Sequence, residues 1–398
     1  MSIWTLIKYL FICPHLIICA LITFYIYREE KPFYTPIYVT KKSEKEGEKE
    51  QKVNIHDEFP CFCKLDRPYN IIKLYLGVVF LGLFRVIINL FLAWRININI
   101  LNHLKSKNVD NKNKKKDNDD IKFMIETAKR LTSLYLKFAG MIIDKKRLPD
   151  ERVLPIYQKY FGPDYKIDYD SKFSCYISNH TCAYDMLISM ASYGTGFVAK
   201  IGITKVPIIG TLLKLLQSIF VDRSSTNSKS NITDEIIQRQ KDFIEGKAVM
   251  PFMIFPEGTT NSGRHLLPFK RGAFNSLLPV KATIIHPNLY ENYHLGCGSS
   301  DVGCNYIMSL SNLYNKVEYI ELPVITPNDY MYKNFEHLGK EKWEIFANVS
   351  REIMCELGGF KKSEFGLKDS FRYCSCIEIY GHHYHWINFY NLYIIFNN

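Results

Sequence analysis

His180 and Asp185, with four residues between them, are the side chains of this chain best suited to moving a proton. A neutral imidazole can take a proton from a hydroxyl near neutral pH. A carboxylate on its other ring nitrogen fixes the tautomer and stabilises the imidazolium as it forms. Positions five apart on a regular helix lie roughly 140° around the axis. The spacing therefore predicts His180 in the turn entering a helix, with Asp185 reaching back from its first turn. The flanks agree, because residues 173–178 are β-branched and aromatic enough for a buried strand and 185–191 open a helix. The base would then stand at the carboxyl side of a strand, where α/β sheets place their sites. There is no Gly-x-Ser-x-Gly elbow, so a serine-hydrolase reading has no support.

The elements that must position this pair alternate. Strands are expected at 173–178, 196–200, 249–255, 283–286 and 317–325. A helix is expected at 232–245, with Asn231 or Thr233 as its cap. Longer amphipathic helices are expected at 121–143 and 336–357, and the apolar stretch 206–216 is expected to pack beside the strands. Such alternation predicts an α/β fold, a sheet with helices on its faces.

Four blocks in order carry a resemblance. His180 and Asp185 form the first. Val198-Ala199-Lys200, Pro207, Gly210 and Ile219-Phe220-Val221-Asp222-Arg223 form the second. Phe255-Pro256-Glu257-Gly258-Thr259 is the third, and Leu267-Pro268-Phe269-Lys270-Arg271-Gly272-Ala273-Phe274 follows it. From roughly 171 to 287 the chain resembles the glycerolipid acyltransferase family. The resemblance implies that family's fold, a central mixed sheet flanked by helices, here with N-terminal membrane helices. It also implies an acyl-CoA co-substrate, no cofactor and no metal. His180 would be the general base on an acceptor hydroxyl and Asp185 its orienting partner. Arg223, Glu257 and Gly258 would bind the acceptor, with Thr259 and Lys200 beside them. Direct attack needs no acyl-enzyme, so Cys182 is expected to be a packing residue. Thr260 and Asn261 follow Glu-Gly-Thr where many lysophosphatidate and glycerol-phosphate enzymes have arginine. That is similar to the lysophospholipid branch. Pro279-Val280-Lys281-Ala282 lacks the second proline that the family's fourth block usually offers.

The expected reaction is therefore transfer of a fatty acyl chain to a lysophospholipid. Acylation of 1-acyl-glycerol-3-phosphate or glycerol-3-phosphate is the alternative, and a non-catalytic lipid-binding relative is a third. The 398 residues carry a formal net charge of +11 and 47% hydrophobic residues, enough for a core and for lipid-facing surface. CoA phosphates or an anionic leaflet suit that charge. No nucleic-acid module is recognisable, so nucleic acid is not an expected partner.

Residues 9–27 form an uncharged, mostly apolar run, and 1–30 is read as a signal anchor. A second apolar run, 74–94, is interrupted by Arg85 and Asn89. It predicts a hairpin or interfacial helix with Arg85 snorkelling to the head groups, or a spanning segment. The remaining divisions are a charged linker at 31–68, a membrane-embedded segment at 69–101 and a charged insert at 102–120. The catalytic domain is set at 121–330, and a helix with an aromatic tail at 331–398. The 11 cysteines are read as reduced thiols, and His382, His383 and His385 as part of an interfacial tail rather than a metal site. The expected location is a membrane, that of the endoplasmic reticulum.

Overall fold

The computed structural model describes residues 12–29, 38–41, 51–54, 68–106, 118–182, 184–205, 210, 213–214, 216–221, 228–261, 263–288 and 302–366. The apolar helix α1 (Cys13–Glu29) comes first, and β1 (Tyr38–Lys41) and β2 (Gln51–Asn54) pair as a separate antiparallel ribbon. A helical rod follows. In it α2 (Pro68–Gly77), a π-helical turn (Val78–Gly82) and α3 (Leu83–Ser106) run on without a break.

The chain then alternates. Helix α4 (Asn118–Phe138) leads to β3 (Met141–Arg147), α5 (Asp150–Phe161), β4 (Cys175–Ser178), α6 (Tyr184–Tyr193), β5 (Gly196–Lys200) and β6 (Ile219–Val221). Next come α7 (Ser228–Ile244), β7 (Phe252–Ile254), β8 (His265–Leu266) and β9 (Val280–Asn288). The last described elements are α8 (Val302–Ser311), β10 (Asn315–Ile325), α9 (Asp329–Asn334), α10 (Lys342–Gly358) and β11 (Lys361–Lys362).

Seven strands form one mixed sheet in the order β3-β10-β9-β4-β7-β5-β6. Five of them, β9 to β6, are parallel, while β10 runs antiparallel to β9 and carries β3 parallel to itself. All four residues of β4 are buried, as expected of a central strand covered on both faces. On one face Cys175, Ile177, Ile254 and Ile284 pack against Tyr157 of α5, Ile236 of α7 and Phe346 and Ile353 of α10. On the other, Tyr176, Met253 and Phe197 meet Ile96 and Ile100 of α3, Met124 and Ala128 of α4 and Met190 of α6. Glu341 and Glu344 form a capping box that starts α10, and Gly359, at φ 67°, ends it.

Several sequence expectations are corrected here. The expected helix 121–143 stops at Phe138, and Met141–Arg147 becomes edge strand β3, because β10 offers it a parallel partner. Helix α7 begins at Ser228, which puts Asn231 and Thr233 inside the helix rather than at its cap. The expected helix 336–357 is split into a 3-10 turn (Glu336–Leu338) and α10. Residue 330 lies in α9, and α10, which follows it, packs on the core of the sheet.

Residues 74–94 make no hairpin, and Arg85 does not snorkel. Its guanidinium donates to the carbonyl oxygens of Leu310, Asn312 and Leu313, closing the carboxyl end of α8. Gly77 and Gly82 let Ser311 of α8 approach the rod, since a Cβ at either position would collide with it. By length and composition, Ile71–Asn102 is the one helical stretch among the described residues able to cross a bilayer. The stretch 206–216 and the charged insert fall largely outside the described residues, and the histidine-containing tail lies wholly outside them.

Candidate active site

β4 ends at Ser178, and its next two residues leave the sheet in a fixed way. The Asn179 side chain donates to Ile285 O at 2.9 Å and accepts from Ile285 N at 2.8 Å. The amide thus acts as one further rung to β9 after the β4 ladder has ended. His180 follows in the turn before α6, and Asp185 is the second residue of that helix. His180 Nδ1 lies 2.9 Å from Asp185 Oδ2, the geometry the spacing required.

Asp185 is fully buried and serves as a hub. Besides the imidazole, its carboxylate accepts from Thr181 N, Thr181 Oγ1 at 3.0 Å, Cys182 N at 2.9 Å and Cys182 Sγ at 3.3 Å. Two of these donors are backbone amides at the amino end of α6, where a carboxylate is favoured. An acceptor on this side places the ring proton on Nδ1, which leaves the Nε2 lone pair for a substrate. The imidazole lies on the Phe255 ring with centroids 4.2 Å apart and planes 17° apart, and its side chain keeps 18% exposure. A proton acceptor with a fixed ring plane and one open nitrogen is suited to general-base chemistry. Cys182 is 2% exposed with its thiol turned to Asp185, away from the position of a nucleophile.

The third block locks onto the first. Glu257 is 1% exposed, accepting from His180 N through Oε1 at 2.7 Å and from Leu267 N through Oε2 at 2.8 Å. Asn261 also donates to Glu257 Oε2 through its side chain, and its own amide donates to His180 O at 3.0 Å. Burial pushes the Glu257 carboxyl up to about 8. Its backbone donors and the guanidinium of Arg351 oppose that rise. Both Glu257 oxygens accept from the protein, and through Oε1 the side chain holds the backbone of the base.

Gly258 stands at φ 72°, and the Lys270 side chain lies where a Cβ would project. Thr259, half-buried, continues that turn. Lys200 ends β5, next to β6, while Arg223 lies outside the described residues. Lys281, where the second proline was missing, is buried in an ion pair with Glu321 at 2.7 Å and donates to Tyr169 O at 2.8 Å. Sequence reasoning missed Asn179, Phe255 and Asn261. All three border the two chemical motifs, and that adjacency was the signal available.

Residues 170–289 match the family model described as Acyltransferase. That segment is similar to acyltransferase domains. Over 195 residues the chain is 30% identical to the Arabidopsis thaliana lysophospholipid acyltransferase LPEAT1, covering 48% of this chain and 46% of that one. It is 27% identical to a Drosophila melanogaster lysophosphatidylcholine acyltransferase, over 48% of this chain and 34% of the relative. For the human lysophosphatidylcholine acyltransferase 2 the identity is 28%, over 48% and 33%. The match thus spans less than half the length of each of these relatives. A solved structure, the 1-acyl-sn-glycerophosphate acyltransferase PlsC of Thermotoga maritima, aligns over 70% of this chain and 98% of its own, with a TM-score of 0.42 and 13% identity. The matched segment holds β4 to β9, with His180, Glu257 and Gly258 on its loops and Asp185 in the first turn of α6. Helix α10, which completes the core, lies beyond it.

Proposed function

We propose that the chain is a membrane-bound acyltransferase that moves a fatty acyl chain from acyl-CoA to the free hydroxyl of a lysophospholipid. The observation that carries this reading is the His180–Asp185 pair, with Nε2 open, inside an acyltransferase domain similar to those of lysophospholipid acyltransferases. His180 Nε2 takes the proton of the lysolipid hydroxyl as its oxygen attacks the thioester carbonyl. Asp185 stabilises the imidazolium. As the tetrahedral intermediate collapses, the C–S bond breaks and the imidazolium returns the proton to the CoA sulfur. A new ester and free CoA result, and no acyl-enzyme forms. Positioning and the base together supply the rate, the base alone about 10²–10⁴-fold. Arg223 and Lys200 are assigned to the phosphate groups of acceptor and donor, for which cationic donors are suited.

Membrane attachment is supported by a stripe of exposed apolar residues along the rod: Ile72, Leu76, Phe80, Phe84, Ile87 and Phe91. Recurring every three or four residues, they share the face turned away from the protein. Helix α1 adds Ile17, Leu21 and Phe24. The endoplasmic reticulum is the assigned membrane.

The test is acyl transfer from labelled oleoyl-CoA in washed membranes carrying the wild type or His180→Ala. Lysophosphatidylcholine, lysophosphatidylethanolamine, lysophosphatidate and glycerol-3-phosphate are offered singly. His180-dependent labelling of a zwitterionic lysolipid supports the proposal. Labelling confined to lysophosphatidate or glycerol-3-phosphate replaces it with acylation on the route to phosphatidic acid. No labelling with any acceptor overturns it.

A further inference from the structure

Arg351 is a buried cation on α10, 8% exposed and outside the matched domain. It makes no ion pair among the described residues by direct contact. It donates to Leu266 O through Nε at 3.2 Å and Nη2 at 2.6 Å, and Nη2 also reaches Ser363 O. The other end of the same peptide group is Leu267 N–H, which donates to Glu257 Oε2 at 2.8 Å. Glu257 Oε1 in turn holds His180 N at 2.7 Å. One planar peptide unit therefore has a guanidinium on its oxygen and a carboxylate on its N–H. A charged donor on the carbonyl polarises the unit and strengthens donation from its N–H. The cation also offsets part of the cost of burying the Glu257 charge.

We infer that Arg351 is a positioning residue for the His180 base, acting through the 266–267 peptide group and Glu257 as a strut from the last long helix to the active-site turn. The inference rests on the proposed function for its kinetic readout, and on geometry alone for its structural one. The charged or titratable groups acting on Glu257 are Arg351 from α10 and Asp185 from α6, with His180 above it and Lys270 across the adjoining Gly258. Those acting on Arg351 are Cys355 and Glu352 on its own helix, Glu364 beyond it and Glu257.

The test uses the full chain in detergent or vesicles, with Arg351→Met, Arg351→Lys, Glu257→Gln and the neighbouring control Ser350→Ala. Arg351→Met is expected to lower kcat on the order of 10²-fold, as for a base displaced by a fraction of an ångström to an ångström. KM for acyl-CoA and for lysolipid should stay within about twofold. The acid limb of its pH profile should move to higher pH, because a carboxylate that loses its cation ionises less readily. Arg351→Lys should recover part of the rate, and in the Glu257→Gln background Arg351→Met should cost little more.

Independently of activity, hydrogen exchange should speed up in peptides spanning 178–182 and 265–269 in Arg351→Met but not in Ser350→Ala. Fast exchange there in an enzyme that transfers nothing would uphold the strut and refute the proposed function. A wild-type kcat and acid limb in Arg351→Met would overturn the strut. So would full additivity with Glu257→Gln, or a loss of protection spread evenly over the domain. If Arg351→Met fails to fold, Arg351→Lys carries the same readouts at smaller amplitude.

Discussion

At the scale of single residues, the site depends on carboxylates with different work. Asp185 touches the imidazole, and Glu257 holds the backbone that carries it. Asp185→Asn should keep the fold and lower kcat on the order of 10²–10⁴-fold, as loss of the orienting acceptor predicts. Circular dichroism beside the transfer assay would check both halves. Gly258→Ala meets two obstacles of different cost. The Lys270 tip can move aside, but φ 72° cannot be relieved. A loss of about 1–2 kcal/mol in thermal unfolding is expected, and Lys270→Ala should not restore it. The His-x4-Asp pair and the Pro-Glu-Gly turn were readable because their contacts are local or their backbone demands are strict. Glu257's real partners were not readable. Two of them are peptide N–H groups, which nearly every residue type offers alike, and Arg351 is reached only through one more carbonyl.

At the scale of elements, the sequence located the central strands well, because β4 and β7 are buried throughout and lie in runs of apolar residues. It misread Met141–Arg147, since Met-Ile-Ile continues a helical pattern until β10 supplies a partner. The same distance effect hid the role of Arg85. An arginine in an apolar run has few fates, and snorkelling costs less than burial until three carbonyls are placed around it. Arg85→Met should leave the Leu310, Asn312 and Leu313 carbonyls short of donors and cost about 1–3 kcal/mol. Thermal unfolding in detergent would show it. Cleavage between the rod and α8 by added protease should rise in parallel, and Arg85→Lys should restore only part of both.

At the scale of the whole molecule, the rod and the base share one region. Val86 of the rod packs on the cluster that contains Cys182, Tyr184 and Ile188, the flanks of Asp185. A rod held at the bilayer would therefore bring the base to where a lysolipid hydroxyl resides. Phe80→Asp combined with Phe84→Asp should reduce co-flotation with neutral vesicles. Binding to anionic vesicles should also weaken in high salt, given the net charge of +11. Protonation runs through the molecule in opposite senses for stability and for activity. The Glu257 carboxyl rises from an ordinary 4.5 to about 8 on folding. Its contribution to stability is complete below 4.5 and is lost as pH climbs through 8. The melting temperature of the wild type should fall across that window, and Glu257→Gln should flatten the slope. Transfer by the wild type should rise as pH climbs through about 8, where the carboxylate forms in the folded protein.

The clamp between Arg85 and α8 also dictates a timetable. Arg85 and its first partner carbonyl, at Leu310, are 225 residues apart. A ribosome adding roughly 5–20 residues per second takes roughly 10–45 s to bridge that gap. Strand β3 waits in the same way, because among the described residues its only neighbour in the sheet is β10. Through that interval the nascent chain presents an apolar rod with an uncovered guanidinium and a strand with a bare edge, the kind of surface that chaperones and translocation machinery meet first. Synthesis thus delivers the apolar rod early and the assembled site late.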